Sequence, residues 1–124
     1  WPSDMLHLIN LGFELKKYGF IIDAEAFKFA FGKNWQETAR PCAWNLKATS
    51  LMFLFVLLRD DLIERLDYFL PFISERFPID GNVKPTKNLR EALRAIEGQN
   101  EMHINKLKGE YLTIQKIYSG IFHQ

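Results

Sequence analysis

Apolar residues recur at helical spacing along most of the chain. In its first part, positions three and four residues apart form one helical face, at Leu8, Leu11, Leu15 and Tyr18. This spacing predicts a helix over residues 4–18 with Gly19 just past its end, because glycine tolerates the left-handed conformation common at that place. Asp23 is a favourable N-cap residue and predicts a second helix over residues 24–31.

The middle of the chain carries the strongest helix signal. An uninterrupted apolar run predicts a helix over residues 47–59, with Asn45 or Thr49 near its start. A further helix is predicted over residues 63–77. Pro71 lies inside it and removes a backbone donor, so we expect a kink or a split just before that residue.

The last third of the chain predicts a turn and two more helices. Asp80-Gly81 suits a turn that needs positive φ. Residues 87–97 are predicted to form a helix capped by Thr86, and residues 101–118 a final helix.

These elements predict an all-α fold, a compact bundle of five or six helices without a convincing strand pair. We expect residues 1–43 to form an N-terminal helical subunit and residues 44–124 a second helical domain, the two packed into one compact unit. A weak repeat, in which the pattern after Trp1 recurs after Trp44, permits a second interpretation as two tandem helix-turn-helix-like units. Any two amphipathic helices align about equally well, so a single bundle explains the same residues.

The order of apolar positions from Trp44 onward is similar to that of a known family. The positions that carry it are Trp44, Lys47, Leu51, Leu54, Leu57, Ile63, Phe77, Ile79-Asp80 and Gly81-Asn82, followed by Leu89, Ile96, Leu107 and Tyr111. Over residues 43–118 the chain resembles the C-terminal domain of RteC-type regulators, which are associated with conjugative elements in Bacteroides-group bacteria. The resemblance implies a helical fold and DNA binding in the transcriptional control of mobile elements. The chain departs from that family after the turn, where residues 90–101 hold three acids among two bases instead of a strongly basic segment.

The composition limits which partners and which cellular compartment are expected. The net charge of the 124 residues is +1, which gives no whole-chain preference for nucleic acid or for a membrane. A single cysteine cannot form an internal disulfide, so we expect a reducing, cytoplasmic environment. The longest apolar run is far shorter than the roughly 20 residues of a membrane span, so no membrane partner is expected. Because the chain begins at Trp1 without a methionine, we expect it to be a domain of a longer protein or a trimmed form of one.

The candidate contacts to duplex DNA are cations and one amide in the last third of the chain. They are Lys84, Lys87, Asn88, Arg90 and Arg94, with Lys106 and Lys108 as additional phosphate contacts. Spacings of three and seven from Lys87 bring three cations to one helix face, where they can contact phosphates, and Asn88 can hydrogen-bond to a base edge. An ordinary solvated helix face explains the same residues.

No residue pattern indicates catalysis, a metal or a cofactor. The acids Asp60, Asp61, Glu64 and Asp67 flank a helix end and alternate with arginines, as solvated capping residues do. The three histidines are scattered, and Cys42 is expected to be a small buried hydrophobe. We therefore expect a protein without enzymatic activity, cofactor or small-molecule substrate.

The second functional hypothesis is a protein–protein interaction or oligomerisation domain without nucleic-acid binding. Its surface is predicted around Phe27, Phe29 and Phe31, because alternate phenylalanines in one helix cannot all point into one core. Trp44 is expected to be buried, while Trp1 and Trp35 are open to either interpretation.

Overall fold

The computed structural model describes residues 5–30, 41–59, 69–97 and 109–122. Within those ranges there are six helices, and the β-structure is limited to single-residue bridges between the loops. The helices are α1 (Met5–Lys17), α2 (Ala24–Ala30), α3 (Ala48–Leu58), α4 (Leu70–Arg76), α5 (Thr86–Glu97) and α6 (Glu110–Phe122). The predicted all-α fold is confirmed. The first parts of the helices predicted over residues 63–77 and 101–118 lie outside the described ranges.

The end of α1 and the start of α2 follow the predicted capping chemistry. Gly19 has a φ of +84°, and its N–H donates to the carbonyl of Lys16 at 3.0 Å. The N–H of Phe20 donates to the carbonyl of Leu15 at 2.9 Å, which completes a Schellman motif. The Oδ1 atom of Asp23 accepts the N–H groups of two residues in the first turn of α2, at 3.0 and 3.1 Å. Short-range hydrogen bonds therefore fix the turn between the two helices.

Helix α1 approaches α2 closely at Gly12. A Cβ atom at this position would lie 3.1 Å from Cδ1 of Phe27 and 3.2 Å from the carbonyl oxygen of Ala24. The ring of Phe27 is fully buried and meets the edge of Phe77 at a centroid distance of 6.0 Å. Glycine at this position thus lets the α1–α2 pair pack tightly against the rest of the core.

The segment around Trp44 joins two loops that are distant in sequence. The N–H of Trp44 donates to the carbonyl of Pro78 at 2.8 Å, and its own carbonyl accepts the N–H of Asp80 at 3.1 Å. The N–H of Asn45 donates to the carbonyl of Phe20 at 2.9 Å. The indole is fully buried and stacks on the ring of Phe20 at 5.5 Å. An extended Trp44 segment therefore lies between the loop after α1 and the loop after α4.

Helix α3 is the centre of the fold. It packs most extensively on α5 and also on α6. Its buried residues are Ser50, Leu51, Met52, Phe53, Leu54, Phe55 and Leu58. A helix that is apolar on nearly all sides is expected in the interior, and one continuous hydrophobic core takes residues from all six helices. Each helix around α3 therefore has one face in the core and its opposite face toward solvent.

Arg76 ties the end of α2 to the end of α4. Its Nη1 donates to the carbonyl of Ala30 at 2.7 Å, and its guanidinium carbon lies 4.1 Å from the ring centroid of Phe72. Burial lowers the pKa of Arg76, and the nearby charge of Glu75 partly offsets this. A cation at the C-terminal carbonyls of a helix is also favoured by the helix dipole.

Asn45 and Thr49, which were predicted near the start of α3, lie on either side of its N-cap residue. The N-cap residue is Lys47, which makes no side-chain capping bond. The side chain of Asn45 instead donates to the carbonyl of Gly19 at 3.1 Å, and the hydroxyl of Thr49 accepts the phenolic O–H of Tyr111 at 2.8 Å. Both side chains therefore hydrogen-bond to residues that are distant in the sequence.

The beginnings of α4 and α5 differ in how well they were predicted. Pro71 lies in the first turn of α4, where its missing N–H costs no helical hydrogen bond, so the helix begins where a break was expected. Thr86, predicted as a cap, is the first residue of α5 itself. The carbonyl of Pro85 accepts the N–H groups of Asn88 and Leu89 and so starts the helix one residue earlier.

Candidate nucleic-acid interface

The solvent face of α5 carries the three cations that the sequence singled out. The opposite face of this helix is buried and consists of Leu89, Ala92, Leu93 and Ile96. Lys87, Arg90 and Arg94 are exposed and fall within an arc of roughly 60° at 100° per residue. We call these three residues the α5 basic face. They span about 10 Å along the helix axis at 1.5 Å per residue.

Rigid contacts behind α5 hold this face in place. The helix packs on α3 and α4 through its apolar side. The loop that leads into it contains a two-residue turn in which Asp80 and Gly81 have φ values of +51° and +79°. The hydroxyl of Ser74 in α4 donates to the carbonyl of Lys84 just before the helix. The predicted positive-φ turn is thus confirmed, and it lies in the loop that leads into α5.

The other predicted contact residues have different surroundings. Asn88 is exposed in the first turn of α5, about 100° around the helix from Lys87. Lys84 is half-buried in the preceding loop. Lys106 and Lys108 lie outside the described residues. The structure therefore brings five of the seven candidates to one helix and the residues just before it.

Two acids border the α5 basic face. Glu91 and Glu97 are exposed and lie at either edge of the arc. Within the described ranges, the cations of this face make no hydrogen bond or ion pair with another side chain. The acids lower the net charge of the helix, while the cationic groups stay available to a ligand.

The remaining sequence candidates form no reactive centre in the described part of the chain. Cys42 is buried, as predicted, and desolvation together with the charge of Asp23 raises the pKa of its thiol to about 12. His7 is half-buried with its ring 5.0 Å from that of Phe122. No group of three or more His, Cys, Asp or Glu within the described ranges is arranged to hold a metal ion. Asp60, Asp61, Glu64, Asp67, His103 and His123 lie outside those ranges.

The predicted phenylalanine surface on α2 is wrong at Phe27, the first of its three members. Phe27 is fully buried between α1 and the Phe77 side of the core. Phe29 is half-buried, with the Nζ atom of Lys28 5.9 Å from its ring centroid, and Phe31 lies outside the described residues. Trp1 and Trp35 lie outside them as well, whereas Trp44 is buried as expected.

A surface feature that the sequence had not indicated lies between α1 and α6. A groove of about 440 Å³ there is lined by Asn10, Phe13, Glu14, Tyr18, Lys116, Ile117, Gly120 and Ile121. Phe13 is 58% exposed and Tyr18 57%. The prediction that Tyr18 lies on the core face of the first helix is therefore wrong. Tyr18 follows the last helical residue of α1, where the chain turns away from the axis and the helical period no longer determines the side that a residue faces. The signal that would have found the groove is Phe13, which lies off the buried face of α1.

Among the helices of the described ranges, none combines the length and apolar character needed to cross a bilayer. The chain matches no protein-family model, no curated protein and no solved structure.

Proposed function

We propose that this chain is a non-catalytic regulatory module that contacts duplex DNA through α5. The observation that supports this most directly is the α5 basic face, three cations on one solvent-exposed arc of a helix whose back is fixed in the core. Groups in this arrangement can neutralise several phosphates without any change in the fold. The resemblance of residues 43–118 to RteC-type regulators implies the same class of function.

The dimensions of α5 suit the major groove. An α-helix fits the groove, which is roughly 12 Å wide, and the α5 basic face is about 10 Å long. Recognition helices commonly use residues near their N-terminus to contact bases. Asn88 occupies such a position in the first turn, and asparagine pairs well with adenine through two hydrogen bonds. We therefore assign Asn88 to base contact and the three cations to phosphate contact.

The connection into α5 separates this arrangement from a standard helix-turn-helix. Residues 77–85 lie between α4 and α5, which is longer than the tight turn of three to four residues in that motif. The proposal accordingly rests on the exposed helix face and not on a helix-turn-helix geometry.

The charges on α5 allow the salt dependence of DNA binding to be estimated. With Glu91 and Glu97 counted, α5 has a net charge of +1, so binding should be modest and strongly dependent on salt. Neutralising three phosphates gives a log–log salt slope of about −2.7, which is a loss of about 40-fold in affinity between 50 and 200 mM salt. A loss of this size is measurable even when the affinity at low salt is only micromolar.

The test is fluorescence anisotropy with labelled duplex DNA at several salt concentrations. Replacing Lys87, Arg90 and Arg94 together by glutamine should remove most binding, and Glu91→Gln alone should increase it because a repulsive charge is lost. Lys28→Gln, which removes an exposed cation on α2, is the matched control and should change affinity little. Binding that is absent at low salt, or that is unaffected by the triple substitution, would rule the proposal out.

A further inference from the structure

The exposed side of α5 is wider than the α5 basic face. Asn88, Glu91 and Ala95 are exposed as well, and their spacings of three and four residues place them on one stripe of the helix. At 100° per residue they lie within an arc of about 60°, whose centre is about 100° around the helix from the centre of the α5 basic face. We call this set the second α5 stripe. Helix α5 therefore carries two adjoining exposed stripes, one cationic and one without a cation.

The polar side chains of the second α5 stripe are open to a ligand. Within the described ranges, the amide of Asn88 and the carboxylate of Glu91 make no hydrogen bond or ion pair with another residue. The apolar contacts that hold the helix come from its buried side. Substitutions on the second α5 stripe should therefore leave the fold intact.

The two stripes match two surfaces of a major groove. A helix in this groove faces base edges at the floor and the phosphates of a strand at an adjoining wall. When the α5 basic face lies along one wall, the second α5 stripe is turned toward the floor, because the two directions differ by about 100°. The buried side of α5 lies about 120° from the second α5 stripe, so the core does not occupy the floor of the groove.

Given the DNA contact proposed above, on which this inference rests, we infer that Asn88, Glu91 and Ala95 contact adenine, cytosine and thymine, respectively. Asparagine makes two hydrogen bonds to adenine, a carboxylate accepts one from N4 of cytosine, and an alanine methyl contacts the C5-methyl group of thymine. Along the helix axis the three residues are about 4.5 and 6 Å apart. Successive base pairs are about 3.4 Å apart, so the stripe spans about four base pairs. The preferred site is a duplex segment in which pairs holding these three bases follow one another in this order.

The carboxylate of Glu91 makes this contact selective. A negative charge beside DNA repels the phosphates, which weakens binding to every duplex. A hydrogen bond from N4 of cytosine offsets that loss only where this base is present, so the wrong sequences are penalised. Glu97 lies at the opposite edge of the α5 basic face, outside the second α5 stripe, and is the matched control for charge alone.

Selection by the full chain from a duplex library with a randomised central segment tests the assignment. Fluorescence anisotropy then compares the enriched duplex with a scrambled duplex of the same composition, and the enriched duplex should bind more tightly. Asn88→Ala should reduce the preference for adenine at one position by about 5- to 150-fold. Deoxyuridine in place of the selected thymine removes one methyl group and should weaken binding by about fourfold.

The two acids separate base contact from charge. Glu91→Gln should tighten binding to the scrambled duplex and change the preferred base at its position from cytosine to adenine, because glutamine pairs with adenine. Glu97→Gln should tighten binding to the scrambled duplex to a similar extent and leave every base preference unchanged. A circular-dichroism melt of each variant checks that the fold is retained.

The possible failures of this inference and of the proposed function are distinguishable. Binding without any enriched sequence, or base preferences that are the same in Asn88→Ala and Glu91→Gln as in the wild type, would overturn the base contacts and leave the phosphate contacts standing. Absence of binding to any duplex at low salt would overturn the proposed function, and this inference with it.

Discussion

The hydrogen bond between Trp44 and Ser50 offers a stringent test of how the core is built. The Nε1 atom of Trp44 donates to Oγ of Ser50 at 3.1 Å, and this hydroxyl in turn donates to the carbonyl of Lys47 at 2.8 Å. Both side chains are fully buried. Replacing Ser50 by alanine leaves the indole N–H buried without an acceptor, which costs about 1–3 kcal/mol in the free energy of unfolding.

The expected loss for Ser50→Ala is about 2 kcal/mol, close to the middle of that range. With a urea m-value between about 1 and 3 kcal/mol/M, the unfolding midpoint should fall by about 1 M at unchanged m. Circular dichroism at 222 nm in urea measures it. Thr49→Ala is the matched control, because Thr49 is only half-buried and its hydrogen bond with Tyr111 is partly exposed. Its cost should stay below about 1 kcal/mol.

A double-mutant cycle isolates the hydrogen bond from the packing. Trp44→Phe is expected to cost several kcal/mol by itself, because a large buried side chain is made smaller. In that background Ser50→Ala should cost less than in the wild type, since no indole N–H is left unsatisfied, and the difference should be about 1 kcal/mol or more. An equal cost of Ser50→Ala in both backgrounds, or a cost below that of Thr49→Ala, would refute this account of the Trp44 site.

Three further predictions concern single positions. Gly12→Ala should lower the melting temperature, because its Cβ would lie 3.1 Å from Phe27, whereas Gly120→Ala, whose Cβ meets nothing within 4 Å, should gain up to about 1 kcal/mol from helix propensity. Gly81→Ala should cost about 1–2 kcal/mol, because φ is +79° there, and a thermal melt measures it. Cys42 should be alkylated at pH 8 only when the chain unfolds. Because its folded pKa of about 12 lies above the unfolded value near 8.5, its contribution to stability is complete below pH 8.5 and is lost as the pH rises toward 12, by up to about 1.4 kcal/mol per pH unit. In Cys42→Ala that part of the alkaline pH dependence should be absent.

The candidate interface on α5 was largely predictable from the sequence. Residues three and four apart share a helix face whatever the rest of the chain does, so Lys87, Arg90 and Arg94 had to lie together once that segment was helical. The exposure of that arc also followed from its apolar opposite side. The tilt and support of α5 were not predictable, because they depend on its packing against α3 and on the Ser74–Lys84 contact.

The α1–α6 groove, in contrast, was not predicted from the sequence. Phe13 and Phe27 are the same residue type on neighbouring helices, yet one is 58% exposed and the other fully buried. The difference arises from what lies over each position: Phe27 packs against Gly12 of α1 and the ring of Phe77, whereas Phe13 borders the groove beside α6. The spacing of apolar residues places Phe13 off the buried face of α1, but it does not show that α6 lies alongside to form a groove.

By itself, the sequence determined the helical class, the Schellman motif at Gly19, the cap at Asp23 and the turn at Asp80-Gly81. Each of these is set by hydrogen bonds or dihedral preferences within about five residues, so the neighbouring residues are enough to predict it. Only the tertiary structure decided which apolar faces are covered, and it gave the side chains of Asn45 and Thr49 partners that are distant in sequence. Burial depends on the packing of remote elements, and the free energy it provides exceeds local preferences wherever the two compete.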